Sequence, residues 1–192
     1  MSEKPAKEKS GSLEFIFDVV SIMATACVSV ALVFMFVFRT VGVIGDSMNP
    51  TLNTGDRIIL TATYSESTYG DIVVTCQPSK SVLVPDILVK RVIATEGQTI
   101  DIDFETGAVY VDGEELDEPY IAELTKDREN FIGPVTVPEG YVFVMGDNRN
   151  NSTDSRSNSV GLIREEYIMG KALFRIAPFG NFKINYVDGR NP

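Results

Sequence analysis

VVSIMATACVSVALVFMFVF, residues 19–38, is the stretch on which the architecture turns: twenty residues without a charge. As a helix rising about 1.5 Å per residue it is about 30 Å long, the thickness of a bilayer's hydrocarbon core. The core helix of a soluble domain would carry a polar stripe, and here Ser and Thr are only scattered. A cleaved secretory signal has an apolar region of about 7–15 residues followed by a small-x-small site. This run is longer and ends in Phe36-Val37-Phe38-Arg39, which suits a retained anchor. Lys4, Lys7 and Lys9 before the span and Arg39 after it favour a cytoplasmic amino terminus. The expected layout is a cytoplasmic tail at 1–14, a transmembrane anchor at 15–38 and an extracytoplasmic domain at 39–192.

That domain, in a chain of 192 residues, is large enough to bury a core without disulfides. Cys27 lies in the apolar run and Cys76 in a strand-like stretch, so no bridge is expected between them, and both read as small buried hydrophobes. The net charge of −10 argues against nucleic acid, which requires Lys and Arg gathered on one face. Acid is concentrated at 112–129 and reads as a solvated surface loop. The chain has no histidine. That removes every Ser–His–Asp and Cys–His arrangement and most zinc chemistry, so neither metal nor cofactor is expected. A general base must then be Lys, Asp, Glu, Tyr, Cys or an amino terminus.

After the anchor, β-branched runs alternate with turn signals: Arg57–Tyr64, Asp71–Cys76, Ile87–Ala94, Thr99–Asp103, Ala108–Val111, Tyr141–Met145 and Lys171–Ile176. Thr106-Gly107 and Pro138-Glu139-Gly140 read as hairpin turns, and Arg164–Tyr167 as one helical turn. The fold class expected is mainly β: an antiparallel sheet domain behind one transmembrane helix, with residues 99–137 forming a small lid.

Three segments carry chemistry. Ser47 sits in Gly45-Asp46-Ser47-Met48-Asn49-Pro50-Thr51, an irregular turn that can aim a hydroxyl and a backbone N–H into one cleft; a serine that merely forms the turn is the alternative. Lys90 stands in Ile87-Leu88-Val89-Lys90-Arg91-Val92-Ile93, where alternation puts it on the face of Leu88 and Val92, and Arg91 on the other. One of these cations must face the more apolar side, and such burial lowers a lysine's pKa toward that of a usable base. An edge-strand charge reaching solvent is the alternative. The polar run from Gly146 to Arg156 follows an apolar strand; Asp154 and Arg156 can pair, and Ser152 can donate or accept. Its spacing lacks the regular oxygen ligands of a calcium loop.

Together these segments resemble bacterial type I signal peptidases, in their Gram-positive form. Ser47-Met48-x-Pro50-Thr51-Leu52 resembles the family's nucleophile motif, Gly70-Asp71-Ile72-Val73 a structural motif, and Lys90-Arg91-Val92-Ile93 the base motif. Gly146-Asp147-Asn148 through Ser152-x-Asp154-Ser155-Arg156 resembles the closing motif, and the order agrees. The resemblance implies a membrane-bound serine endopeptidase that removes signal peptides from secretory preproteins after small residues, Ala-x-Ala sites. It implies Ser47 as nucleophile, Lys90 as base and Ser152 as the group orienting the lysine. Asp154 and Arg156 would form a supporting ion pair, and the Ser47 backbone N–H would be one oxyanion donor. Where some members have a serine as second donor this chain has Gly45, so a backbone N–H would substitute there. Gln98 and the four residues between Arg156 and Gly161 depart from the family pattern.

Ser47 follows Phe38 by nine positions, at most about 30 Å of chain, which tethers the hydroxyl near the bilayer. Met48 reads equally as a lipid-dipping or a core residue. The partners expected are preproteins and the lipid bilayer, with the peptidase a monomer. Two rivals are a self-cleaving repressor peptidase, which would carry a DNA-binding domain where the anchor lies, and an anchored β domain that binds without catalysis.

Overall fold

The computed structural model describes residues 7–61, 66–78, 86–178, 180, 182 and 184. The first six residues of the expected tail and the end of the run Arg57–Tyr64 lie outside them. The chain divides into two units, Met1–Phe38 and Arg39–Pro192.

The first unit is one helix, α1 (Lys7–Val37). Its part Leu13–Val37 has a mean hydropathy of 2.5 and is long and apolar enough to cross a membrane. Cys27 lies on this helix, exposed, and both it and the half-buried Cys76 are free thiols.

The second unit consists of β1 (Phe38–Gly42), β2 (Arg57–Thr61), β3 (Ile72–Gln77), β4 (Asp86–Ala94), β5 (Thr99–Asp103), β6 (Ala108–Val111), β7 (Glu114–Glu115), β8 (Val135–Thr136), β9 (Tyr141–Met145), β10 (Ile163–Arg164) and β11 (Ile168–Ala177). Seven of these strands form a large sheet in the order β1-β2-β11-β3-β4-β9-β10, and four a small one, β7-β6-β5-β8. Pairing is antiparallel along β2–β11–β3–β4–β9–β10 and throughout the small sheet. The mainly β, antiparallel fold expected from the sequence is the one observed. The small sheet occupies residues 99–136.

The strands missed by the sequence reading, β1, β7, β8 and β10, are short or lie where apolar alternation is too brief to register. Thr106-Gly107 does close the β5–β6 hairpin. Pro138-Glu139-Gly140 does not close a hairpin: it joins β8 of the small sheet to β9 of the large one. A turn signal reports a local reversal, and which sheet receives the next strand depends on distant pairing. The helical turn near Arg164 is a 3-10 turn at Glu165–Tyr167.

Two apolar clusters position the site. Ile93, Ala94, Phe143 and Met145 of β4 and β9 pack with Ile100, Ile102, Val109, Val111 and Phe131, fastening the small sheet to the large. Met48 and Leu52, 1% and 0% exposed, sink into Ile58, Leu60, Ile72 and Val74. Met48 is therefore a core residue. Each such burial contributes about 1.5–3 kcal/mol, enough to hold an irregular loop in one place.

Candidate active site

The loop between β1 and β2 is closed at its base by Val43 N–H to Asp56 O (2.8 Å) and Gly55 N–H to Val43 O (3.0 Å). Inside it, Gly45 takes φ +93°, a conformation that glycine adopts without a side-chain penalty. Its N–H donates to Thr54 Oγ1 (3.0 Å), and Thr54 Oγ1 donates back to Gly45 O (3.0 Å). Gly45 thus shapes the turn, with its N–H engaged by Thr54. Among the described residues, no acceptor takes the backbone N–H of Ser47.

Lys90 lies at the centre of β4, opposite Val73 of β3 and flanked on its own face by Leu88 and Val92. It is 3% exposed, and its Nζ stands 2.7 Å from Ser47 Oγ in a hydrogen bond. Burial in this apolar row lowers its pKa from 10.5 to about 8. Asp154 opposes the fall and Arg156 assists it. The solvent-reaching alternative for Lys90 is excluded by its burial. Arg91, on the opposite face, is fully buried as well.

The loop after β9 presses on the nucleophile turn from the other side. Asn148 N–H donates to Ser47 O (3.0 Å), and Asn148 Nδ2 to Asp46 O (3.1 Å). Gly146 permits this approach: a Cβ there would collide with the Ser47 carbonyl and the Ser152 hydroxyl. Ser152 Oγ donates to Asp154 Oδ2 (2.8 Å), and among the described residues it makes no hydrogen bond with Lys90. A hydroxyl has one proton, which here goes to the buried carboxylate, while its oxygen keeps lone pairs that can accept from an amine. Asp154 and Arg156 form a buried ion pair, with Nε donating to Oδ1 and Nη2 to Oδ2, each at 2.8 Å.

Sequence reasoning missed a second charged cluster beneath this one. Arg91 forks onto Asp147 and donates through Nη1 to Gly70 O (2.9 Å). Thr51, from the nucleophile turn, donates to Asp147 Oδ2. The Arg91 guanidinium lies 3.9 Å from the Tyr120 ring centre, and Arg149 pairs with Glu118 on the same side. Glu118 and Tyr120 belong to the acidic stretch, so that stretch is only in part the solvated loop its composition suggests. Their signal in the sequence was weak, since Asp147 stands 56 residues from Arg91 and 96 from Thr51. Gln98 is a turn residue, its Oε1 accepting from Thr95 N–H (2.9 Å).

No group of three or more Cys, Asp or Glu side chains that could hold a metal occurs among the described residues.

Comparison with known proteins gives this arrangement its relatives. The family model described as "Signal peptidase, peptidase S26" matches residues 16–177. The chain is 36% identical over 193 aligned positions to signal peptidase I of Bacillus licheniformis, covering 95% of this chain and 98% of that protein. It is 36% identical to signal peptidase I T of Bacillus subtilis strain 168, covering 95% and 94%. Signal peptidase I S of the same strain is 35% identical, with 95% and 97% covered. A family match over most of the chain, and relatives aligned from end to end, leave one assignment: the chain belongs to the signal peptidase family, peptidase S26, and is an enzyme that hydrolyses peptide bonds.

Proposed function

We propose that this enzyme removes signal peptides from secretory preproteins by a Ser47/Lys90 mechanism, cutting after small residues of Ala-x-Ala type. Family membership supports the substrate class. The observation that carries the mechanism is a buried lysine amine 2.7 Å from a serine hydroxyl, with no histidine in the chain.

Neutral Lys90 takes the Ser47 proton as Oγ attacks the scissile carbonyl. The Ser47 backbone N–H donates to the oxyanion. Collapse of the tetrahedral intermediate breaks the C–N bond; the Lys90 ammonium protonates the departing amine, which leaves as the new amino terminus. Water then gives a proton to Lys90 and attacks the acyl-serine ester. The acid is released, Ser47 recovers its proton, and Lys90 returns neutral. Ser152 acts through Asp154, which it hydrogen-bonds, and Asp154–Arg156 stiffens the wall beside the lysine.

The apolar helix is read as a membrane anchor over 15–38 preceded by a cytoplasmic tail at 1–14. Residues 39–192 are read as an extracytoplasmic peptidase domain with a small lid at 99–137, acting as a monomer. Apolar length supports the anchor and the flanking lysines support the orientation.

The test uses the detergent-solubilised chain and a preprotein with an Ala-x-Ala site. Cleavage after the final Ala, abolished by Ser47→Ala and by Lys90→Ala, is expected. Equal behaviour of all three proteins would sink the dyad.

A further inference from the structure

The turn that carries Ser47 is gripped from two sides. Thr54, on the returning limb of the loop, accepts the Gly45 N–H and donates to Gly45 O, each at 3.0 Å. Its Oγ1 also lies 3.2 Å from Asp46 Oδ1, which keeps that carboxylate on the Thr54 side of the chain. From the loop after β9, Asn148 Nδ2 donates to Asp46 O (3.1 Å) and Asn148 N–H to Ser47 O (3.0 Å). All three carbonyls from Gly45 to Ser47 therefore have a donor. The N–H groups of Asp46 and Ser47 have no acceptor among the described residues. The limb bearing Thr54 is itself fixed: Asn53 N–H donates to Asp56 Oδ2 (3.0 Å), and Asn49 Nδ2 to Asn53 Oδ1 (2.9 Å).

The peptides on either side of Asp46 are trans, and in a planar trans peptide the N–H points opposite to the C=O. By holding Gly45 O, Thr54 turns the Asp46 N–H away from itself and from the Asp46 carboxylate. By holding Asp46 O, Asn148 does the same for the Ser47 N–H. Gly45 is left-handed, and a turn closed by Asn49 N–H to Asp46 O (3.1 Å) follows at once. Successive N–H groups in such a bend, unlike those of a strand, face one side and form a concavity for an anion. A Cβ at Gly45 would meet nothing within 4 Å, so conformation rather than space calls for glycine there.

We infer that the Asp46 N–H is the second oxyanion donor beside the Ser47 N–H, and that Thr54 is the positioning residue that aims it through the Gly45–Asp46 peptide. The inference rests on the reading of Ser47 as nucleophile. As Ser47 Oγ bonds to the scissile carbonyl carbon and its proton passes to Lys90, the π electrons of the C=O move onto its oxygen. Two N–H groups already aimed to one side of the turn receive that charge without further movement. Their effect is strongest once the oxygen is charged, so it belongs to kcat rather than to KM.

The test deletes the donor and its positioner separately, in the full chain in detergent with the Ala-x-Ala preprotein. Replacing Asp46 by its α-hydroxy counterpart through nonsense suppression exchanges that N–H for an oxygen and keeps the side chain. This exchange is expected to lower kcat about 100-fold, with KM within about twofold. The same exchange at Gly45, whose N–H faces Thr54, should cost less, and a larger loss there than at Asp46 overturns the inference. Thr54→Val keeps the shape and removes the hydroxyl; a loss of about tenfold in kcat is expected from the misaimed donor, and Thr54→Ser should restore most of it. A peptide aldehyde, to which Ser47 adds to leave an oxyanion in the hole, should lose affinity in step with kcat/KM in the Asp46 ester and in Thr54→Val. A merely structural role would not produce that parallel. Wild-type kcat in the Asp46 ester overturns the donor, and wild-type kcat in Thr54→Val overturns the positioning role; should Thr54→Val not fold, Thr54→Ala is read in the same way. Ser47→Ala is run beside them. Activity surviving in Ser47→Ala overturns the nucleophile and the hole together, whereas an intact Asp46 ester beside an inactive Ser47→Ala overturns the hole alone.

Discussion

Arg91 donates from Nε and Nη2 to the two oxygens of Asp147, at 2.8 and 2.7 Å, and both side chains are fully buried. The fork joins the residue beside Lys90 to the loop whose next residue, Asn148, holds the Ser47 carbonyl. Thr51 of the nucleophile turn completes it. One carboxylate thus sets three pieces of chain in register around a 2.7 Å contact between serine and lysine.

Breaking this fork from one side leaves a buried charge unpaired. Asp147→Asn should destabilise the domain by about 3–5 kcal/mol, read as a fall in denaturation midpoint. The double substitution Arg91→Met with Asp147→Leu should recover most of that stability but not the activity. Equal stability of Asp147→Asn and wild type would show that the fork contributes nothing.

The acid limb of the rate profile should lie near pH 8, where Lys90 loses its proton. Below it kcat/KM should fall about tenfold per pH unit. A profile flat down to pH 4 would remove the lysine from the mechanism, and inactivation by a chelator that added metal reverses would replace it with metal chemistry.

Lys90 also makes stability depend on pH. Its pKa is about 8 in the fold against 10.5 for a free lysine. Below pH 8 both states carry the proton and the buried ammonium costs the fold about 3 kcal/mol. Between 8 and 10.5 the unfolded state holds more protons, so stability rises with pH, and above that window the cost is gone. Lys90→Met should therefore be inactive yet more stable than wild type at pH 7, by up to about 3 kcal/mol, with the gain shrinking above pH 8. Thermal melts at pH 7 and pH 10 check the sign.

Gly146→Ala places a methyl on the Ser47 carbonyl and the Ser152 hydroxyl. Both partners are backbone or short side chain, so the nucleophile turn must yield. A loss of about 100-fold in kcat with a smaller change in KM is expected, as displacement of a reacting group by about 1 Å produces. Wild-type kcat would show that the loop gives way elsewhere.

The strands with clear alternation, Thr99–Asp103, Ala108–Val111 and Tyr141–Met145, were legible to the residue, because side-chain period is a local property. The two-residue strands were not, since two residues have no period. The pairing of Asp154 with Arg156 was legible because two residues separate them, and the arrangement of Arg91, Asp147 and Thr51 was not. The hydrogen bonds that Gly45 makes with Thr54, nine positions away, were not legible either.

The sequence by itself determined the long apolar helix, the β-rich body and the kinds of side chain available for catalysis, with histidine removed from the choice. Tertiary structure decided what those side chains do. It placed Lys90 in an apolar row against Ser47, gave the Ser152 proton to Asp154, and tied part of an acidic surface stretch to the loop after β9. The reason is physical: periodicity acts between neighbours in the chain, whereas desolvation and charge pairing depend on distances in space, which are fixed only once strands remote in sequence have paired.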